Sequence, residues 1–249
     1  MPRKLLLAPL VCVPIVFGLA QNGGSAPSKE TLYYNIEWRL INAGKLRIDL
    51  QPEPQPTPGW MVNLHLESVG LVSKLFKVED DYSSTLNPSM CVETTQLTAH
   101  EGSRQRQTRV TFDYESKKAA YLERDRIKNT TVLAQETEIP ACVHDVAGGL
   151  FFLRTLNLEV GQSVEVPVSD GKRSVRARIE AQQREEVKTP AGPFHTIRYE
   201  IFLFNDVLYK RSGHLYVWLT DDRRKLPVAL RVRLQITIGT INLQLAKYE

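Results

Sequence analysis

The chain has 249 residues, 42% hydrophobic and 24% charged, with a formal net charge of +4. That length and apolar content can bury a sizeable core and exclude a disordered chain. The near balance of 32 basic and 28 acidic residues excludes a dedicated polyanion binder, and no glycine-rich phosphate motif is present, so neither a nucleotide nor any other cofactor is implied.

Met1-Pro2-Arg3-Lys4, an apolar run from Leu5 to Leu19 and small residues at Gly18 and Ala20 predict a secretory signal peptide over residues 1–20, cut after Ala20. As a membrane anchor the same run would be about 15 residues, short of the roughly 20 a helix needs to span, and Pro9 and Pro14 interrupt it. Its removal takes away Arg3 and Lys4 and no acid, leaving 30 basic against 28 acidic groups. Residues 21–29 read as a flexible polar leader, and residues 30–249 as a single β-rich domain.

Period-two alternation dominates from there. Leu32, Tyr34, Ile36, Trp38 and Leu40 fall on one side of a strand over 32–40, with Tyr33, Asn35, Glu37 and Arg39 opposite. A turn at Asn42-Ala43-Gly44 leads into Leu46/Ile48/Leu50, and a Pro-rich stretch from Pro52 to Gly59 leads into Trp60/Val62/Leu64/Leu66, so two hairpins follow. Further strands are predicted over 74–85, 90–100, 104–114, 117–123, 129–137, 163–168, 172–188, 194–210, 213–220, 226–234 and 236–247. In the last, Ile241, Leu243 and Leu245 slip out of phase with Ile236 and Ile238, which places a bulge or bend at Gly239-Thr240. Residues 197–204 end apolar on both faces, so their second half is expected to be covered on both sides.

One stretch departs from this pattern, "IPACVHDVAGGLFFLR" at 139–154. Val143, Val146, Leu150 and Leu153 recur at helical spacing, with Asp145 placed to cap the first turn, so 143–156 reads as the only substantial helix. Gly148 and Gly149 inside it imply a close approach of helix backbone to sheet. His144 reads as a surface residue beside the cap. A catalytic His144-Asp145 pair lacks a recognisable nucleophile, since no G-x-S-x-G elbow occurs, and adjacent helical residues point about 100° apart.

Elsewhere the five histidines lack metal-ligand spacing, so no metal is implied. Alternating arginines such as Arg104/Arg106, Arg176/Arg178 and Arg231/Arg233 read as a solvated strand face without the interleaved aromatics a nucleic-acid groove needs. Asp221-Asp222-Arg223-Arg224 reads as a charged hairpin tip. After signal cleavage Cys91 and Cys142 remain, and in an oxidising compartment they are expected to form a structural disulfide closing a loop of about 50 residues.

Several stretches together resemble a bacterial exported family catalogued as domain of unknown function 3108: "FKVEDDYSSTLN" at 76–87, "VTFDYES" at 110–116, "VHDVAGGLFFLRTLNLEVGQ" at 143–162, "VKTPAGPFHTIRYE" at 187–200 and "GHLYVWLTDDRRKLPVALRV" at 213–232, with Leu32-Tyr33-Tyr34, Trp38 and Ala43-Gly44 near the start. The resemblance implies a periplasmic or cell-envelope protein, predominantly β, similar to the open barrels of lipoprotein carriers. It implies no activity and supplies no catalytic residues.

The expected architecture is mainly β, a large curved antiparallel sheet or half-open barrel with one helix packed against it. The expected function is non-enzymatic: an exported protein, at most peripheral to the membrane, binding an apolar or amphipathic, lipid-like molecule. Trp38, Trp60, Leu150, Phe151, Phe202, Phe204 and Trp218 are the candidate lining of its cavity. The alternatives are a structural or protein-interaction module of the envelope, a hydrolase, and an outer-membrane barrel, the last disfavoured by frequent charges on the outward faces. Oligomeric state is not legible from the residues.

Overall fold

The computed structural model describes residues 29–53, 58–235 and 239–249. The predicted signal peptide, residues 21–28 of the leader and the predicted strand start at Ile236–Ile238 lie outside the described residues. Fourteen strands follow in order: β1 (Glu30–Trp38), β2 (Ile41–Pro52), β3 (Trp60–Ser68), β4 (Val78–Leu86), β5 (Val92–Glu101), β6 (Arg104–Asp113), β7 (Lys118–Asp125), β8 (Thr130–Glu138), β9 (Ser163–Ser169), β10 (Ser174–Thr189), β11 (Gly192–Ile201), β12 (Gly213–Thr220), β13 (Pro227–Leu234) and β14 (Thr240–Tyr248). Among the described residues two helices interrupt them, α1 (Gly70–Leu75) between β3 and β4, and α2 (Val146–Leu153) between β8 and β9.

All fourteen strands form one antiparallel sheet in the order β8-β7-β6-β5-β4-β3-β2-β1-β14-β13-β12-β11-β10-β9. It is a meander in which the first and last strands pair in the middle, Ile36 opposite Leu243 and Trp38 opposite Ile241. The two edges, β8 and β9, are therefore consecutive in sequence. The sheet curls far enough for side chains of β2–β6 to share an interior with those of β9–β14, as the right-handed twist of a long antiparallel sheet favours.

It stops short of closing, and the β8–β9 connection bridges the gap. Val92 N donates to Val143 O (2.9 Å), His144 N donates to Pro167 O (3.0 Å) and Ser169 N donates to His144 O (3.0 Å). Residues 143 and 144 thus act as a two-residue strap between the start of β5 and the edge strand β9. Beyond them α2 occupies the end of the sheet where the β4–β5 and β12–β13 turns lie. There Arg154, directly after α2, holds the Glu30 carboxylate with both terminal nitrogens (2.5 and 3.0 Å) and donates to Arg224 O (3.0 Å).

Several expectations are corrected. The first hairpin turns at Arg39-Leu40, both with positive φ, and Asn42-Ala43-Gly44 lies within β2, where Ala43 is bulged between the pairs Glu37–Asn42 and Ile36–Gly44. Gly44 passes so close to β3 that a Cβ there would meet Glu67 O at 2.6 Å. The helix spans 146–153, because residues 143 and 144 are committed to the strap. A second, one-and-a-half-turn helix, α1, stands where the strand over 74–85 was expected to begin. β11 ends at Ile201, short of the expected 210. The phase slip near Gly239 is the β13–β14 hairpin turn itself, with Leu234 N bonded to Gly239 O (3.0 Å) and a positive φ at Gly239.

Cys91 and Cys142 form a disulfide, Cα atoms 5.2 Å apart, that fastens the strap to the β4–β5 turn. At a sequence separation of 51, the chain-entropy account gives about 4 kcal/mol. The C91S/C142S variant is expected to lose about that much unfolding free energy in urea while keeping its far-UV circular dichroism; an unmoved midpoint would refute this role for the crosslink.

Candidate functional site

The interior of the curled sheet holds a cavity of about 640 Å³. One wall carries Leu46 and Ile48 of β2, Leu64 of β3, Leu97 of β5, and Val110 and Phe112 of β6. The facing wall carries Val166, Val168, Ala177, Ile179, Leu215, Val217, Leu230, Val232 and Leu243, and α2 contributes Val146, Ala147, Gly149, Leu150 and Phe151. This is the period-two rule at work: inward positions of successive strands, directly paired, stack into apolar rows. One such row runs through Ile179, Ile201, Leu215, Val232, Ile241 and Trp38.

A polar patch interrupts the apolar lining where Tyr82, Thr95, Thr108, Asp145, Ser169, Asp170, Lys172 and Tyr209 meet the cavity. Its base is Asp145, 3% exposed. One carboxylate oxygen accepts from Gly148 N (3.1 Å) and Ser84 Oγ (3.1 Å), the other from Ala147 N (3.2 Å) and Tyr82 Oη (2.7 Å). Burial pushes its pKa up, and these four donors pull against that shift. Burial, together with the Asp145 charge, also raises the Tyr82 hydroxyl well above the ordinary phenol value. Burial lifts Tyr209 to about 12, so both phenols stay neutral donors at physiological pH.

His144 is the clearest correction at single-residue level. It is buried, 2% exposed, where a surface position was expected. Its Nδ1 faces Met90 O at 2.7 Å, so that nitrogen carries the proton, and its ring stacks on Phe152 at 4.0 Å between centroids. Burial lowers its pKa and the Met90 carbonyl only partly opposes this. His144 and Asp145 thus serve different partners and do not converge. Among the described residues no three His, Cys, Asp or Glu side chains are grouped as a metal set, and no helix is long and apolar enough to cross a membrane.

Of the seven predicted lining residues, Leu150, Phe151 and Phe204 line the cavity. Trp38 belongs by register to the uppermost apolar row but lies beyond the lining side chains. Trp60 pairs with Leu86 at the opposite end, near α2. Phe202 faces outward beneath the Arg178 guanidinium (3.9 Å), because β11 ends at Ile201 and the chain then turns Leu203 and Phe204 inward. Trp218 is buried on the outer face, out of phase with Leu215 and Val217, where its Nε1 donates to Glu185 (2.8 Å). There the long β10–β11 hairpin bends its tip back, joining Ala191 N to Leu245 O (3.0 Å). Sequence reading missed Tyr82, Tyr209, Asp170 and Lys172. The inward phase of Tyr82 was legible in the alternation of β4; the other three are brought in by turns.

The family model described as protein of unknown function (DUF3108) matches residues 33–246. Among solved structures, a β-barrel-like protein of domain of unknown function DUF1849 from Brucella abortus aligns with a TM-score of 0.55 at 8% identity, covering 89% of this chain and 97% of that one. A protein from Bacteroides fragilis, provisionally described as exported and of YmcC-like fold, aligns at a TM-score of 0.34 and 11% identity, over 90% of this chain and 96% of that one. A Parabacteroides distasonis protein provisionally described as a lipoprotein gives the same score at 10% identity, with the same coverage. No curated relative matches in sequence. The likeness to the Brucella protein shows a β-barrel-like fold.

Because His144 is held neutral when folded, while the unfolded chain takes up its proton near the ordinary value of 6.5, protonation favours unfolding. Stability is therefore expected to fall as pH drops below about 6.5, by up to about 1.4 kcal/mol per pH unit from this group. His144→Asn, which keeps a donor toward Met90 O, should remove that limb from urea-unfolding curves taken between about pH 5 and 7. An identical pH dependence in the variant would exclude the assignment.

Proposed function

The chain belongs to the DUF3108 family of proteins of unknown function, and from that footing we propose that it is an exported cell-envelope protein that holds an apolar or amphipathic, lipid-like molecule inside its curled sheet and performs no reaction on it. The observation that carries the reading is the cavity. Its volume of about 640 Å³ falls within the roughly 300–1,000 Å³ of small-molecule sites, and apolar walls with a few convergent polar groups are the usual composition of such sites. Burying an alkyl chain there gains about 0.8 kcal/mol for each methylene.

The polar patch favours an amphipathic occupant. Lys172 at the β9–β10 turn and the neutral Tyr209 hydroxyl offer donors to a head group, while the tail meets Leu97, Leu230 and Leu243. The absence of chemistry is supported by the state of Asp145: each carboxylate oxygen already accepts two hydrogen bonds from the protein, leaving it poorly placed as an acid or base. The layout of residues 1–20 supports export.

Native mass spectrometry of protein purified gently from the envelope fraction is expected to display a bound species of lipid-like mass. The L97W/L243W variant, which fills the cavity from both walls, should lose that species and weaken binding of a fluorescent fatty acid by roughly tenfold or more while remaining folded. A ligand-free wild-type protein that also ignores the fatty acid would overturn the proposal and favour a structural or interaction role in the envelope.

A further inference from the structure

We propose that the end of the sheet opposite α2 is a docking surface for an anionic lipid bilayer. Leu40 in the β1–β2 turn is 91% exposed and Ile41 beside it 43%; Leu71 and Leu75 on α1 are 57% and 78% exposed, and Phe76 just after it 53%. These belong to segments packed side by side. Val69 N donates to Ala43 O (2.9 Å), joining the α1 entry to β2. Gly102 N donates to Lys77 O (2.7 Å), and a Cβ on Gly102 would touch the Phe76 ring at 2.8 Å, so Phe76 lies across the β5–β6 turn. Nothing in the fold requires these side chains to be large and apolar, since they bury no core.

The β1–β2 turn supplies an independent argument. It is a two-residue turn with φ of 49° at Arg39 and 67° at Leu40. Both central positions are therefore left-handed, a geometry in which Asn and Gly are strongly favoured. Leucine is disfavoured there, and strain retained at an exposed position points to function rather than to packing. The strained residue is also the most exposed of the large hydrophobic ones among the described residues.

Charge selects the occupant. Arg39, Lys45, Lys74 and Lys77 are exposed around these side chains, whereas the acids beside them, Glu37, Glu67, Glu79 and Glu101, are half-buried; Arg39 also lies over the Trp38 ring (5.3 Å) and Lys77 pairs with Glu79 (2.7 Å). Apolar side chains framed by exposed cations fit the interfacial region of a bilayer bearing anionic head groups. A membrane docked here meets the end of the apolar row that descends from Trp38 and Ile241 into the cavity.

The test is co-sedimentation of the exported form with vesicles of phosphatidylethanolamine containing a minority of phosphatidylglycerol, against vesicles of phosphatidylcholine alone. The wild-type protein is expected to pellet with the anionic vesicles and far less with the neutral ones. L40G/L71S/L75S should weaken binding by roughly tenfold or more. Leu40→Gly alone should weaken it severalfold while matching or exceeding the wild-type urea midpoint, because glycine suits the turn; this variant keeps the test decisive if the triple variant fails to fold. L97W/L243W should pellet like the wild type, which separates this surface from the cavity reading. Wild-type protein that stays in the supernatant, variants that pellet undiminished, equal binding to neutral vesicles, or a dimer that these substitutions dissociate would each overturn the proposal.

Discussion

The interior arrangement depends on one buried carboxylate. Asp145 caps the first turn of α2 and at the same time accepts from Tyr82 and Ser84 of β4, so a single side chain sets both where the helix begins and where it sits against the sheet. Removing it would leave two buried hydroxyls and two helix-terminal amides unpaired, and buried polar groups without partners are costly. Gly148 is the steric complement: a Cβ there would meet the Asp145 carboxylate at 2.6 Å and the Leu86 side chain at 2.7 Å. Cap and glycine fix the depth to which the helix enters.

That depth decides why the interior is hollow. The helix has eight residues, about 12 Å at the usual rise. It fills the end beneath Leu86 and Leu226, with its own Phe151 packed there, and leaves the upper part of the curled sheet lined by side chains with no partner across the gap. Protein interiors ordinarily close-pack. A persistent apolar space in an otherwise well-paired sheet departs from that rule, and the proposed container role rests on this departure.

The sheet was legible because half-buried strands write their inward faces as alternation: Leu32/Tyr34/Ile36 and Leu46/Ile48/Leu50 lie where period two places them. The cap at Asp145 and the disulfide were legible for similarly local reasons, one a polar residue before an apolar run, the other an even cysteine count. What escaped depends on distant partners. Alternation reveals two faces but not which is inward, so Trp218, though apolar and buried, belongs to the outer face under the β10–β11 tip. His144 looked like a surface residue because nothing nearby in sequence announces that Met90 O and Phe152 enclose it. The first turn was misplaced because Asn42-Ala43-Gly44 has turn composition and Arg39-Leu40 does not. Of the two glycines in α2, Gly148 approaches the sheet as composition implied, while Gly149 meets only the cavity and the His144 Cβ at 3.8 Å.

The order of the strands places the two ends of the sheet next to each other in mid-chain, joined across the gap by the backbone bonds of residues 143 and 144 and by Gln135 reaching Lys172 O (2.9 Å). Every other boundary between neighbouring strands is sewn along a ladder of paired residues. Mechanically this is a split ring with a short clasp, and a split ring changes girth by flexing along its whole circumference while its joints stay intact. Spreading at the clasp would therefore cost only three or four hydrogen bonds rather than a full ladder.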